Sequence, residues 1–480
     1  MLVARKIAYN VAVSSVAKIL STVLALVSIG FITRYLGKEG FGDYATVLAF
    51  FSLFAAISDL GLYHISTREI SRPRADENRI LGNIFSLRII ASLAVIILAP
   101  IILIFFPYPL EVKQGIMIAA FAFLFSSSYQ VLNGVFQKNL AMDKVTISEL
   151  IGKAIQVVVV IVAIRLSLGF NWIMSSLLIY MIVSFLIIFA WSRKYTQFNM
   201  RFDFHYWKEF LRESLPMGTA VIITFLYFKL DTILLSVIRS SAEVGTYNAA
   251  YKVLENITFF PAMVSGLVLP IMSGSIFSDR QRFEEISNKT FKFFIIIITP
   301  LIIGTLFLAE DVIGLIGGDK FIESANVLRI LVFALALIFF GHFFNSILIV
   351  GNLQKKLMLA LAVAAVVNIA LNLAFIPRYS YWAAAYISVV TELVVVGLTL
   401  AIMVKKIGYL PKMEKVVGVF ISGLLMGAFL WFFQDLNFFL RASISVALYF
   451  IFLWVLKTIK TEELTGLISK KGIEEYEELP

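Results

Sequence analysis

Apolar residues fill fourteen long stretches of this chain, and polar residues gather in the short gaps between them. The stretches lie near 8–33, 44–66, 84–106, 114–135, 146–164, 172–191, 214–238, 249–272, 291–309, 327–350, 357–376, 382–404, 416–433 and 438–456. A helix crossing the hydrocarbon core of a bilayer needs roughly 20 apolar residues. Inside lipid every backbone N–H and C=O must find its partner within the protein, which selects helices. A membrane β-barrel would show alternating segments of about 10 residues instead. The pattern therefore predicts an all-α polytopic membrane protein with 14 transmembrane helices.

The charged residues then set an orientation. Of the 41 lysines and arginines, 27 fall in every second gap and at the two ends, and eight fall in the other gaps. Basic residues concentrate on the cytoplasmic side of membrane proteins. The expectation is a multi-pass protein of the plasma (cytoplasmic) membrane with both termini cytoplasmic. The net charge of +10 is accounted for by this bias and by attraction to anionic lipid, so no nucleic-acid partner is implied. Only 15% of residues are charged and mean hydropathy is +0.91, beyond the needs of a soluble core. With no cysteine, disulfide and thiol chemistry are excluded.

The chain also repeats itself. Gly42 and Tyr44 correspond to Gly245 and Tyr247 at an offset of 203, and Gly61-Leu62 to Gly266-Leu267 at 205. Leu132-Asn133 through Lys144 to Ile164 runs against Phe344-Asn345 through Lys356 to Ile376 at 212. A slowly drifting offset is what a duplicated six-helix unit with small insertions produces. Six is even, so the copies share one orientation, a transporter arrangement. The expected organisation is an N-terminal six-helix lobe (1–195), a cytoplasmic linker (196–213), a C-terminal six-helix lobe (214–404), helices 13 and 14 (405–457) and a cytoplasmic tail (458–480). Segment 203–214 mixes aromatic and charged residues. It reads as an amphipathic surface helix or as a charged loop. Pro261, Gly266 and Pro270 predict a bent eighth span.

No Walker A motif is present, and the three histidines, His64, His205 and His342, are far apart. ATP hydrolysis and a histidine-based metal site are not expected, and no cofactor or catalytic group is identified. What remains is the set of ionisable side chains inside apolar spans, which are costly there and mostly face a bundle interior or a watery cavity. Lys18, Arg88, Lys229 and Lys252 are the candidates for an anion-binding cleft. Asp59, Asp231, Glu255 and Glu392 are the candidates for coupling to H+ or Na+. Some of these charges pair instead: Lys252 and Glu255 are spaced i,i+3, and Glu149 and Lys153 i,i+4. Lys18 has no acidic neighbour within a turn. An unpaired cation in a cleft suits a phosphate, because a bare anion in lipid faces a penalty of tens of kcal/mol.

Arg34-x-Leu36-Gly37 followed by Phe41-Gly42-x-Tyr44 resembles the end of the first helix in polysaccharide-export flippases. Asp231, Val244-Gly245-x-Tyr247 and Ala250-x-Lys252 resemble the matching stretch in the second half of that family. The likeness spans about 5–404 and points to the lipid-linked oligosaccharide branch of the multidrug/oligosaccharidyl-lipid/polysaccharide exporter superfamily. That resemblance implies two helical bundles around a central cavity; a monomer is expected because two lobes already form a closed unit. It also implies a polyprenyl-diphosphate-linked oligosaccharide as substrate, turned from the inner to the outer leaflet by alternating access for cell-surface polysaccharide or glycan assembly. A lipid II flippase and a cation-coupled multidrug exporter of the same superfamily are the alternatives within transport. A membrane polymerase or ligase is the alternative outside it, and it would need a sizeable outer loop that the chain lacks.

Overall fold

The computed structural model describes residues 2–72, 74–412 and 416–459, and nearly all of them are helical. Most of the tail expected at 458–480 lies outside the described residues. In chain order the helices are α1 (Leu2–Asp59), α2 (Leu62–Ile70), α3 (Glu77–Leu103), α4 (Leu110–Lys138), α5 (Met142–Arg165), α6 (Phe170–Ser192), α7 (Phe204–Ile238), α8 (Ser241–Ile257), α9 (Phe259–Ser275), α10 (Arg280–Gly317), α11 (Glu323–Val350), α12 (Gln354–Ile407), α13 (Val416–Phe432) and α14 (Phe438–Val455).

Two of these contain two spans each. α1 folds back at Gly37 (φ 69°, ψ −173°), and α12 at Ser380 (φ 53°, ψ −137°). The left-handed φ at position 37 is open to glycine without steric cost. α8 and α9 together form one apolar run, Ser241–Ser275. Dividing α1 and α12, joining α8 with α9, and leaving the short α2 aside gives the fourteen spans expected from hydropathy. The duplication is visible in the breaks as well. Gly37 and the break at Ser240 before α8 are 203 residues apart, matching the sequence offset.

The bend expected in the eighth span takes the form of an interruption at Thr258 between α8 and α9. Pro261 has no N–H for the carbonyl four residues earlier, so the ladder breaks there. The sharper bend is in α7, which turns by 50° between its Phe204–Leu226 and Phe228–Ile238 parts. The 203–214 stretch is neither a separate surface helix nor a loop. It is helical from Phe204 and runs directly into the seventh span. Its Trp207 and Phe210 are buried; Phe210 packs with Leu62, Leu81 and Val131. Asp203 caps the helix by accepting from the Tyr206 N–H at 3.0 Å. That bond, with Arg79 beside it, holds the Asp203 carboxyl below its ordinary range.

The described residues divide into two compact units. One comprises Met1–Ala249, Ile316–Lys320 and Ile369–Ala384; the other comprises Ala250–Leu315, Phe321–Asn368 and Ala385–Pro480. In the first unit α7 packs along the second half of α1, and α4 packs against α6. In the second, α11 packs on α9 and α13 on α14. The ends of the spans nearest the Lys/Arg-rich gaps are called the basic face below, and the other ends the opposite face.

Candidate functional site

The site lies within the first unit, where the second half of α1, α4 and α7 meet. They border an open cavity of about 390 Å³. Phe51, Phe225 and Phe228 form apolar walls, while Ser52, Asp59, Gln130, Thr224 and Lys229 supply the polar groups. Lys229 sits just past the bend of α7, so the change in helix direction carries this ammonium-bearing side chain to the cavity wall.

Asp59 closes the second half of α1. The next two residues, Leu60 (φ 42°) and Gly61 (φ 78°), are both left-handed, and the Asp59 carboxylate accepts from the Gly61 N–H at 3.2 Å. The same carboxylate accepts from the Arg88 guanidinium of α3. Arg88 also donates to the Gln130 side-chain oxygen of α4 at 3.2 Å, and it is 1% exposed. Asp59 and Gln130 line the cavity, and Arg88 stands directly behind them, holding both. Burying a guanidinium is costly unless it is paired and hydrogen-bonded. The cost is offset here by one charged and one neutral acceptor, which also fix the wall. Gln130 is absent from the sequence-derived candidates; a lone amide inside an apolar span is its only signal.

Two close helix approaches bracket the cavity. Toward the opposite face, α1 meets the start of α8. A Cβ at Gly42 would fall 1.7 Å from the Ser241 carbonyl oxygen, and one at Gly245 would fall 2.1 Å from the Lys38 carbonyl oxygen. These four residues form two pairs at the repeat offset of 203, so each copy presents its glycine to the other copy's carbonyl. The Ser241 hydroxyl also donates to Asp43 at 2.6 Å. Toward the basic face the α1–α2 turn meets α7: a Cβ at Gly61 would lie 2.6 Å from the Met217 Cβ, and one at Gly218 2.6 Å from the Leu60 carbonyl carbon. At both contacts the chains approach too closely to admit a side chain. The partner of Gly61 in the repeat, Gly266, makes no such contact: a Cβ there meets nothing within 4 Å.

The remaining sequence candidates fall elsewhere. Lys18 is half-exposed, and its ammonium lies 3.9 Å from Glu149 of α5, a partner on another helix that helix spacing does not reveal. Glu149 also accepts from the Tyr129 hydroxyl at 3.0 Å, and Lys153 reaches Gln156 and the Tyr180 ring. Asp231 is 4% exposed; it accepts from the Tyr247 hydroxyl and, at 2.7 Å, from the Thr232 N–H. Lys252 and Glu255, in the second unit, form the expected i,i+3 pair at 2.6 Å. Glu392 is buried in α12. Thus Asp59, Arg88 and Lys229 come together at one cavity, Asp231 stands two residues beyond Lys229 within reach of its charge, and Lys18 lies elsewhere in the same unit.

The arrangement is a mostly apolar hollow with an ammonium on one wall and a braced carboxylate on another. Comparison with known proteins agrees with a transport fold. Residues 7–276 match the family described as Polysaccharide biosynthesis protein, and residues 216–374 match the family described as MatE. Over 390 residues the chain is 25% identical to the capsular polysaccharide biosynthesis protein CapF of Staphylococcus aureus, covering 79% of this chain and 94% of that one. It is 23% identical over 328 residues to the probable low-salt glycan biosynthesis flippase Agl15 of Haloferax volcanii, covering 66% of each. Among solved structures, the lipid II flippase MurJ in an inward closed conformation has the same fold. It superposes with a TM-score of 0.75 at 16% identity, over 92% of this chain and 98% of MurJ.

Proposed function

The chain belongs to the polysaccharide biosynthesis protein family, and on that premise we propose that it is a flippase for a lipid-linked oligosaccharide. The substrate is a short glycan on a polyprenyl diphosphate, turned from the inner to the outer leaflet of the plasma membrane. Both termini lie on the cytoplasmic side, where the basic loops gather. The cavity inside a membrane-spanning unit, with Lys229 on its wall and Asp59 held by Arg88, is the main support for this reading. The names of the two curated relatives, one in capsular polysaccharide biosynthesis and one a glycan flippase, point the same way.

In this mechanism the polyprenyl tail stays in lipid and only the polar head enters. Lys229 meets the diphosphate, since lysine is a mobile point charge that holds a phosphate and can release it. The hydroxyl and amide groups of Ser52, Thr224 and Gln130 meet sugar. At about 390 Å³ the cavity is at the small end of ligand pockets, roughly 300–1,000 Å³. It accommodates a headgroup and must widen for a longer glycan. Widening requires one of the two glycine contacts to part, and parting them in turn exposes the cavity first to one side and then to the other. Lys18 and Lys252 do not line this cavity and take no part in holding the head in this arrangement.

The test is reconstitution in vesicles carrying a fluorescent polyprenyl-diphosphate glycolipid, with loss of fluorescence on adding a membrane-impermeant reductant as the readout. A flippase exchanges the glycolipid faster than protein-free vesicles do; equal rates would refute the proposal. Among the four acidic candidates, Asp59 faces Arg88 and Glu255 faces Lys252. Asp231 is held by the Tyr247 hydroxyl and the Thr232 N–H, and the charge of Lys229 at the cavity acts on it. We assign it the coupling proton or sodium ion. Asp231→Asn is expected to abolish the dependence of transport on an imposed pH or sodium gradient. Unchanged dependence would remove Asp231 from this role.

A further inference from the structure

The two halves of α12 fold together about Ser380, with Asn368 donating to Thr391 at 3.1 Å and Gly351 lying against Ile407, so its first and last turns end on the same face. The first turn carries Lys355 and Lys356, and the last carries Lys405 and Lys406. The Lys356 and Lys406 side chains are in contact, and Lys405 is close enough to repel Lys356. Like charges gathered this closely destabilise one another unless a counter-charge is supplied. Among the described residues none of the four lysines has a carboxylate in ion-pair contact. The nearby Glu284 and Glu285 are taken by Arg280 and Lys289 at 2.7 Å each.

The surface leading away from the lysines is apolar. On the first half of α12, Leu359, Val363 and Val366 are exposed at three- and four-residue spacing below Lys355. On the second half, Val390, Leu393 and Val404 are exposed below Lys405. The first stripe lies along one helix side and ends in Lys355, and the second leads to the turn that carries Lys405. A lipid suits both parts, with acyl chains along the stripes and phosphate at the ammonium groups. Basic clusters at the ends of transmembrane helices on the cytoplasmic side recruit acidic lipid headgroups in this manner.

We infer that the ends of α12 form a binding site for a phospholipid with two phosphates, of the cardiolipin type, in the leaflet at the basic face. The cluster of Lys356, Lys405 and Lys406, with Lys355 next to it in the chain, matches two phosphates better than one. The lipid neutralises the cluster and fixes the two halves of the hairpin at their basic ends. The site is separate from the cavity at Lys229 and does not depend on the substrate proposed for it.

The test uses the delipidated full-length protein in detergent, titrated with cardiolipin and followed by native mass spectrometry. Each lysine near the surface contributes about fivefold in affinity. Lys356→Gln and Lys406→Gln are each expected to weaken the one-to-one adduct about fivefold, and the fourfold Lys→Gln variant by roughly several hundredfold. The fourfold Lys→Arg variant should keep the adduct within about fivefold. Phosphatidylglycerol, with one phosphate, should bind more weakly than cardiolipin. Equal cardiolipin binding by wild type and the Gln variants would overturn the inference. So would a polyprenyl diphosphate that binds through these lysines where cardiolipin does not.

Discussion

Asp59→Ala is expected to destabilise the protein by about 3–5 kcal/mol, the usual cost of removing one partner from a buried ion pair. The reason is local. Arg88 is almost wholly buried, and its Nε already lacks a hydrogen-bond partner. Without Asp59 its charge would face only the Gln130 oxygen. The Gly61 N–H would also lose its acceptor at the turn where Leu60 and Gly61 are left-handed. A double replacement, Asp59→Leu with Arg88→Met, should recover most of the loss, because two apolar groups of similar size leave no charge to solvate. Thermal unfolding in detergent, followed by retention of monodisperse protein, reads both. If the single variant melts with the wild type, the pair does not brace the wall.

The second large effect is expected at the glycine contacts. Gly42→Leu or Gly245→Leu cannot keep α1 and α8 at their present separation, since even a Cβ would lie within 2.1 Å of a carbonyl oxygen. Forcing extra volume into such a contact costs roughly 1–3 kcal/mol, so the contact at the opposite face should stay parted. The chain has no cysteine of its own, so Ser52→Cys in the cavity provides a unique reporter. In the Gly42→Leu background a membrane-impermeant maleimide should label it from the opposite face, and transport should fall at least tenfold because the cycle cannot close. Gly218→Leu should give the mirror result, with labelling from the basic face, because that glycine abuts Leu60 at the other end of the cavity. Labelling that does not change sides between the two variants would show that these contacts do not control access.

Much of this architecture is legible in the sequence, and the exceptions have physical causes. The spans follow from hydropathy because lipid demands long apolar helices whatever their neighbours are. The Gly42–Gly245 contact lies on the repeat, and its two glycines stand at matching positions of the two copies, so the sequence itself marks them. At the second contact Gly61 lies on the repeat, but its counterpart Gly266 makes no such approach and Gly218 has no counterpart, so the repeat does not reveal that the two meet. Intrahelical pairs such as Lys252–Glu255 follow from helix spacing, whereas Lys18–Glu149 and Arg88–Asp59 join different helices and depend on packing. The same limit applies to the bends. Pro261 marks the interruption at Thr258 through its missing N–H. The larger bend of α7 falls about ten residues beyond Pro216, in a stretch with no breaker of its own. That bend is what sets Lys229 at the cavity, so the sequence singles out the site's main cation without revealing where it sits.

If Lys229 holds the lipid-borne diphosphate as it crosses, its charge must be needed for transport and not for folding. Wild type, Lys229→Ala and Lys229→Arg separate these roles when the rate of glycolipid exchange is measured in the same vesicles at matched protein content. Lys229 borders the cavity, so Lys229→Ala, compared with the wild type at matched folded content, should exchange glycolipid at least tenfold more slowly. Lys229→Arg, which retains the charge, should keep a substantial part of the rate. Exchange by Lys229→Ala at the wild-type rate would mean that this ammonium does not hold the diphosphate.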